Sequence, residues 1–165
     1  MKKLIIINGT MGVGKTTVSE IVSDKLKPSV FLDGDWCWKM NPWIITEENK
    51  KMVIDNITHL LNAYLNNSGF HYIIFCWVIH QECIFEQILS RLKKEYDLYK
   101  ISLICSEDAL RSHIMNDVKK GIRTIDQVEA SAARLNLYQK MNTTKIDVSN
   151  MTASQAADQI IDRVR

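Results

Sequence analysis

Three glycines lead into a lysine and two threonines within the stretch GTMGVGKTT, residues 9–17. Gly9, Gly14, Lys15 and Thr16 satisfy the spacing G-x-x-x-x-G-K-[ST], and the chemistry of that spacing is phosphate binding. Gly9, Gly12 and Gly14 permit backbone turns that a Cβ would obstruct. Successive N–H groups, those of Thr10, Met11, Val13 and Thr17 included, can then point inward at phosphate oxygens. Lys15 is a point charge for the terminal phosphates of a nucleotide, and the Thr16 hydroxyl is a candidate ligand for Mg²⁺.

A second chemical cluster follows at FLDGDWCW, residues 31–38. A hydroxyl that is to accept a phosphoryl group needs positioning and a base within hydrogen-bond reach. Asp33 and Asp35 share side-chain parity on an extended chain, with Gly34 between them allowing a ligand to approach closely. Asp-Gly-Asp is also ordinary turn chemistry, so its place beside the phosphate loop is what raises it to a candidate site. Three tryptophans crowd residues 36–43. They either wall a ring-bearing substrate or close the core, with Trp36 the best placed and Trp77 a further wall.

These groups need elements to hold them. Leu4 to Ile7 reads as a short strand before the glycines, and Val18, Ile21, Val22 and Leu26 carry helical spacing after them. Residues 30–35 read as a second strand. Thr46 is the expected N-cap of a helix through Asn66. HYIIFCWVI, residues 71–79, is apolar enough for a strand buried on both faces. A helix follows, then a strand over 99–105 and a helix capped by Ser106 and closed near Gly121. Residues 125–140 read as one helical stretch and 145–149 as a fifth strand. Thr152 and Gln155 form a capping box for the last helix. Five strands alternating with helices imply an α/β fold, a parallel sheet covered on both faces. Its ligands bind at the carboxyl ends of the strands.

The chain has 165 residues, a length suited to a single domain over 1–165, with 46% hydrophobic and 24% charged residues. A net charge of +2 and the lack of a basic run argue against a nucleic-acid partner. The apolar run at the start is too short for a secretory signal, and nothing later suffices to cross a membrane. Four scattered cysteines, with no C-x-x-C pair, read as reduced thiols. The expectation is a cytoplasmic protein without membrane or nucleic-acid partners, acting as a monomer or homodimer.

INGTMGVGKTT, the following D-G-D and the later GIR at 121–123 resemble the P-loop kinases that phosphorylate small molecules. The pattern is most similar to chloramphenicol phosphotransferase and tunicamycin-resistance types, and LDGD is also similar to adenylylsulfate and gluconate kinases. The resemblance implies a three-layer P-loop NTPase fold, with a five-stranded parallel sheet in the order 2-3-1-4-5 and a small helical lid over about 111–140. It implies ATP and Mg²⁺, and it makes Asp35 the acceptor-orienting base with Asp33 as its partner. Arg123 matches the family's phosphate-contacting lid arginine and Arg111 the one that packs on adenine, with Arg134 a third candidate. The adenine loop falls at 149–152.

One departure stands out. Many P-loop proteins hold Mg²⁺ through an acid at the end of the third strand, and here His80 stands near that place. Either Asp33 or Asp35 serves the metal, or Thr16, phosphates and water hold it; His80 is also a candidate substrate contact. The expected function is transfer of the γ-phosphate of Mg-ATP to a small-molecule acceptor. Residues 31–98 contain only Arg91 among arginines, which favours a hydroxyl compound over a nucleoside monophosphate. The alternatives are a nucleoside or nucleotide kinase and, from another class, an NTPase switch or regulatory ATP-binding module.

Overall fold

The computed structural model describes residues 1–165. Its strands are β1 (Lys2–Asn8), β2 (Ser29–Asp33), β3 (Tyr72–Trp77), β4 (Tyr96–Ile104) and β5 (Thr144–Asp147). They form one sheet in the order β2-β3-β1-β4-β5, with every pair parallel. The helices are α1 (Lys15–Lys25), α2 (Glu47–Asn66), α3 (Glu82–Leu89), α4 (Glu107–Lys119), α5 (Asp126–Ala133), α6 (Leu135–Lys140) and α7 (Ala153–Val164). None is long and apolar enough to cross a membrane.

The central strand explains the layering. Side chains of a strand alternate between faces, so Ile5 and Ile7 of β1 join one core and Leu4 and Ile6 the other. The first core takes Val18 and Val22 of α1, Leu110 and Ile114 of α4, and Ile160 and Ile161 of α7. The second takes Val53, Ile57 and Leu61 of α2 with Phe85 and Ile88 of α3. All four β1 side chains from Leu4 to Ile7 are fully buried, each contributing about 1.5–3 kcal/mol of apolar burial.

The carboxyl end of the sheet is tied together by Asn8. Its amide donates to the Ile79 carbonyl at 2.9 Å, and its carbonyl oxygen accepts from Ser102 at 2.5 Å. Because Asn8 is opposite Trp77 on one side and Ser102 on the other, it aligns the ends of three strands under the loop that follows.

Several expectations meet the structure closely. Thr46 accepts from the Asn49 N–H, Ser106 accepts from Ala109, and Thr152 and Gln155 form the reciprocal box. Others need correction. The second strand ends at Asp33, and Gly34–Trp38 coil into a 3₁₀ helix capped by the Asp33 carboxylate, which accepts from the Asp35 N–H at 2.9 Å. Asp33 and Asp35 therefore do not share strand parity; a turn brings them together. The stretch 125–140 is two helices broken at Arg134, and β4 begins at Tyr96, ahead of the apolar run that marks it in sequence.

Candidate active site

The loop between β1 and α1 has the backbone that phosphate binding requires. Gly14 sits at φ 102, a left-handed conformation costly to other residues, and a Cβ there would meet nothing within 4 Å. The space in front of it, at the N-terminus of α1, is open for an anion. Thr10 is buried and donates to the Ser131 carbonyl at 2.9 Å, binding the loop to α5. Lys15 donates to the Thr10 carbonyl at 3.0 Å, spanning its own loop. Burial pushes the Lys15 ammonium down to about 8, partly offset by the Asp35 and Asp33 carboxylates.

A cavity of about 990 Å³ opens over this loop at the carboxyl end of the sheet. Residues 11–17 line its floor, and Asp33, Asp35, Trp38, Trp43, Ile45, Trp77 and Val78 line one end. His113, Asn116, Asp117, Lys120, Arg123, Gln127 and Arg134 form the wall from α4 to α6, and Val148, Met151, Thr152 and Ala153 close the far end. The cavity is large enough for a nucleotide and a second small molecule.

The acids occupy distinct places. Thr16 Oγ1 donates to Asp33 Oδ2 at 2.7 Å, so hydroxyl and carboxylate converge on one point. Hard oxygens so placed suit Mg²⁺, which takes one or two protein oxygens and completes its shell with phosphates and water. No group of three or more His, Cys, Asp or Glu side chains is gathered to hold a metal alone. Asp35 has its carboxyl pKa raised, first by burial and then by the Asp33 charge, while Lys15, the Trp77 indole and Arg123 oppose the rise. Lys15, Asp35 and Arg123 are thus within electrostatic reach of one another. Arg123 Nε donates to Asp117 Oδ2 at 2.9 Å.

Trp77 explains the glycine between the acids. A Cβ on Gly34 would lie 2.4 Å from Trp77 Cγ, so the indole rests directly on the backbone of the turn. Trp77 is 9% exposed, and its indole N–H lies near enough to Asp35 to favour the ionised carboxylate.

Some expected residues lie elsewhere. Arg111 is absent from the cavity wall: its guanidinium is held by Glu107 at 2.7 Å and Glu129 at 2.6 Å. Trp36 packs edge-on against Phe31, with ring centroids 5.4 Å apart, and faces a separate shallow groove with Met52 and Leu60. His80 is half-buried, with Nδ1 3.3 Å from the Val78 carbonyl, and does not line the cavity. In their places stand His113 and Asn116 of α4, and Trp38 and Trp43 of the connector. The spacing 113, 116, 117, 120 is one helical face, a signal readable in the sequence once the phase of α4 is known.

Among known proteins, the chain matches the family model described as the AAA domain over residues 5–133. No curated protein matches it at a significant level. The tunicamycin resistance protein of Deinococcus radiodurans superposes with a TM-score of 0.72 at 23% identity, covering 99% of this chain and 96% of its own. A gluconokinase from Sinorhizobium meliloti 1021 gives a TM-score of 0.67 at 12% identity, with coverages of 99% and 98%. A shikimate kinase from Acinetobacter baumannii, solved in complex with shikimate, gives 0.63 at 22%, with coverages of 99% and 93%. At these identities the likeness is one of fold. The chain therefore belongs to the AAA domain family, and its sheet order and full-length superpositions give it the fold of the small P-loop kinases.

Proposed function

We propose that the protein is an ATP-dependent phosphotransferase that moves the γ-phosphate of Mg-ATP to a small-molecule acceptor. The observation that carries this reading is that a phosphate loop and a separate carboxylate, Asp35, open into one cavity with room for two ligands. A nucleotide switch has no need of a walled second compartment with its own base. The solved neighbours titled gluconokinase and shikimate kinase, of the same fold, support the same choice.

The roles follow from the chemistry of each group. Backbone N–H groups of residues 11–17 and the N-terminus of α1 hold the β- and γ-phosphates. Lys15 leaves the Thr10 carbonyl to meet them. Thr16 and Asp33 are the residues that would hold Mg²⁺, which would supply positive charge to offset that of the phosphates. Asp35 orients the acceptor hydroxyl and takes its proton. Arg123 turns from Asp117 toward the charge that spreads over the moving phosphoryl group. Residues 111–140 act as the lid of a single domain spanning 1–165, and His113 with residues 149–152 flanks the nucleobase. Free thiols at Cys37, Cys76, Cys83 and Cys105 and dependence on ATP suit the cytoplasm.

The test is ADP formation from Mg-ATP with and without pooled small-molecule acceptors. The expected outcome is slow hydrolysis alone and a rise with one pool, accompanied by a phosphorylated product. A fast acceptor-independent rate would instead establish the switch.

A further inference from the structure

One buried hydroxyl joins the phosphate loop to the helices beside it. Thr10 is 1% exposed, and its Oγ1 donates to the Ser131 carbonyl at 2.9 Å, a contact between residues 121 apart in the chain. That carbonyl lies in the last turn of α5, where carbonyls lose their helical partners. It also accepts from the Arg134 N–H at 3.2 Å, one residue short of α-helical spacing, and α5 ends there. Arg134 is thus the residue at the break between α5 and α6, and its side chain lines the cavity wall.

Thr10 holds a second cation by its other polar group. Lys15 donates to the Thr10 carbonyl at 3.0 Å, from the floor of the cavity. A single residue therefore carries Lys15 on its carbonyl and, through Ser131, the Arg134 backbone on its hydroxyl. Other contacts keep α5 on the molecule: Arg111 pairs with Glu129 at 2.6 Å, and Val128 and Leu135 are buried on either side of the break. None of these reaches the phosphate loop by a hydrogen bond, so what the Thr10 hydroxyl adds is the place of the break relative to that loop.

Resting on the nucleotide half of the reading above, we infer that Thr10 is a positioning residue whose hydroxyl sets Arg134 over the phosphate loop, so that Arg134 and Lys15 meet the terminal phosphate from wall and floor. When that phosphate draws Lys15 from the Thr10 carbonyl, the Val13 N–H at 3.3 Å and the bond to Ser131 still hold Thr10 in place. The spacing of loop and break survives while Lys15 moves. A bond that served stability alone would move the melting temperature and leave the response to the terminal phosphate unchanged.

The experiment is calorimetry on the full chain with Mg²⁺ and two probes, ADP and the non-hydrolysable imido analogue of ATP, which differ by the terminal phosphate. Arg134→Ala should lower the preference for the analogue over ADP about tenfold, the loss of a hydrogen bond to a charged group. Thr10→Val, which keeps the shape and removes the donor, should lower it about threefold or more with ADP affinity nearly unchanged. Thr10→Ser should restore it. In the Arg134→Ala chain, Thr10→Val should cause no further loss, because the two act as one unit. Thr10→Ala takes the place of Thr10→Val in the same cycle if the latter does not fold by circular dichroism. An unchanged preference, an equal further loss in the Arg134→Ala chain, or equal weakening of both probes overturns the inference and leaves nucleotide binding standing. A parent chain that binds neither probe overturns both.

Discussion

The two ends of the cavity are built by different means. The donor end is backbone: a contiguous loop, glycines at positive φ, and the N–H groups at the start of α1. The acceptor end is side chain: indoles from the 3₁₀ helix, the connector and β3, with carboxylates from either side of Gly34. Backbone donors recognise a phosphate whatever surrounds it, and so one loop can serve many enzymes. Side-chain walls from separate elements can change ring, charge and depth without touching the donor end. Damage at the two ends should therefore fall on different kinetic constants.

Lys15→Ala carries the largest expected effect, a loss of transfer on the order of a thousandfold, read as kcat/KM for ATP. It removes the charge that meets the transferring phosphate, so no acceptor concentration restores the rate. Asp35→Asn comes next, with a loss of about a hundredfold or more in kcat while calorimetry shows ATP affinity nearly unchanged. Equal losses in ATP binding would join the two ends into one site and break the comparison.

Gly34→Ala sharpens it further. The new Cβ cannot coexist with the present Trp77 indole, and forcing the ring aside should lower stability by about 1–3 kcal/mol. Denaturant titration reads that cost, and the acceptor KM should rise while the ATP KM holds.

The pH profile follows from Asp35. A base must be ionised, and burial together with the Asp33 charge raises the Asp35 pKa from its ordinary value. Transfer should thus fall as pH drops, at a higher pH than an aspartate free of these neighbours would set. Trp77→Phe keeps the ring and removes the N–H that favours the ionised form, so the acid limb should move to higher pH.

The smallest effect is expected at Arg111. Its partners Glu107 and Glu129 are exposed, and pairs of that kind contribute little. Arg111→Ala should leave ATP affinity close to its starting value, while His113→Ala weakens it. The reverse order would place Arg111 on the nucleotide.

Much of the donor end was legible in the residues themselves. A phosphate loop is local: spacing within nine residues, a strand before and a helix after specify its backbone, and Thr46, Ser106 and the Thr152–Gln155 box mark their helices within a few residues. The sheet order was expected from the P-loop resemblance rather than from any single strand.

What only the tertiary structure decided was the direction of side chains. WCW puts Trp36 and Trp38 two apart, and the 3₁₀ turn begun by Asp33 sends the first to the outer groove and the second into the cavity. On α4, the fit of Leu110 and Ile114 into the core sets the helix phase, and that phase turns His113 inward and leaves Arg111 to its glutamates. Residue type and spacing determine a backbone that folds on short-range contacts. Which face a side chain presents depends on what the opposite face must bury, and that is a property of the packed molecule.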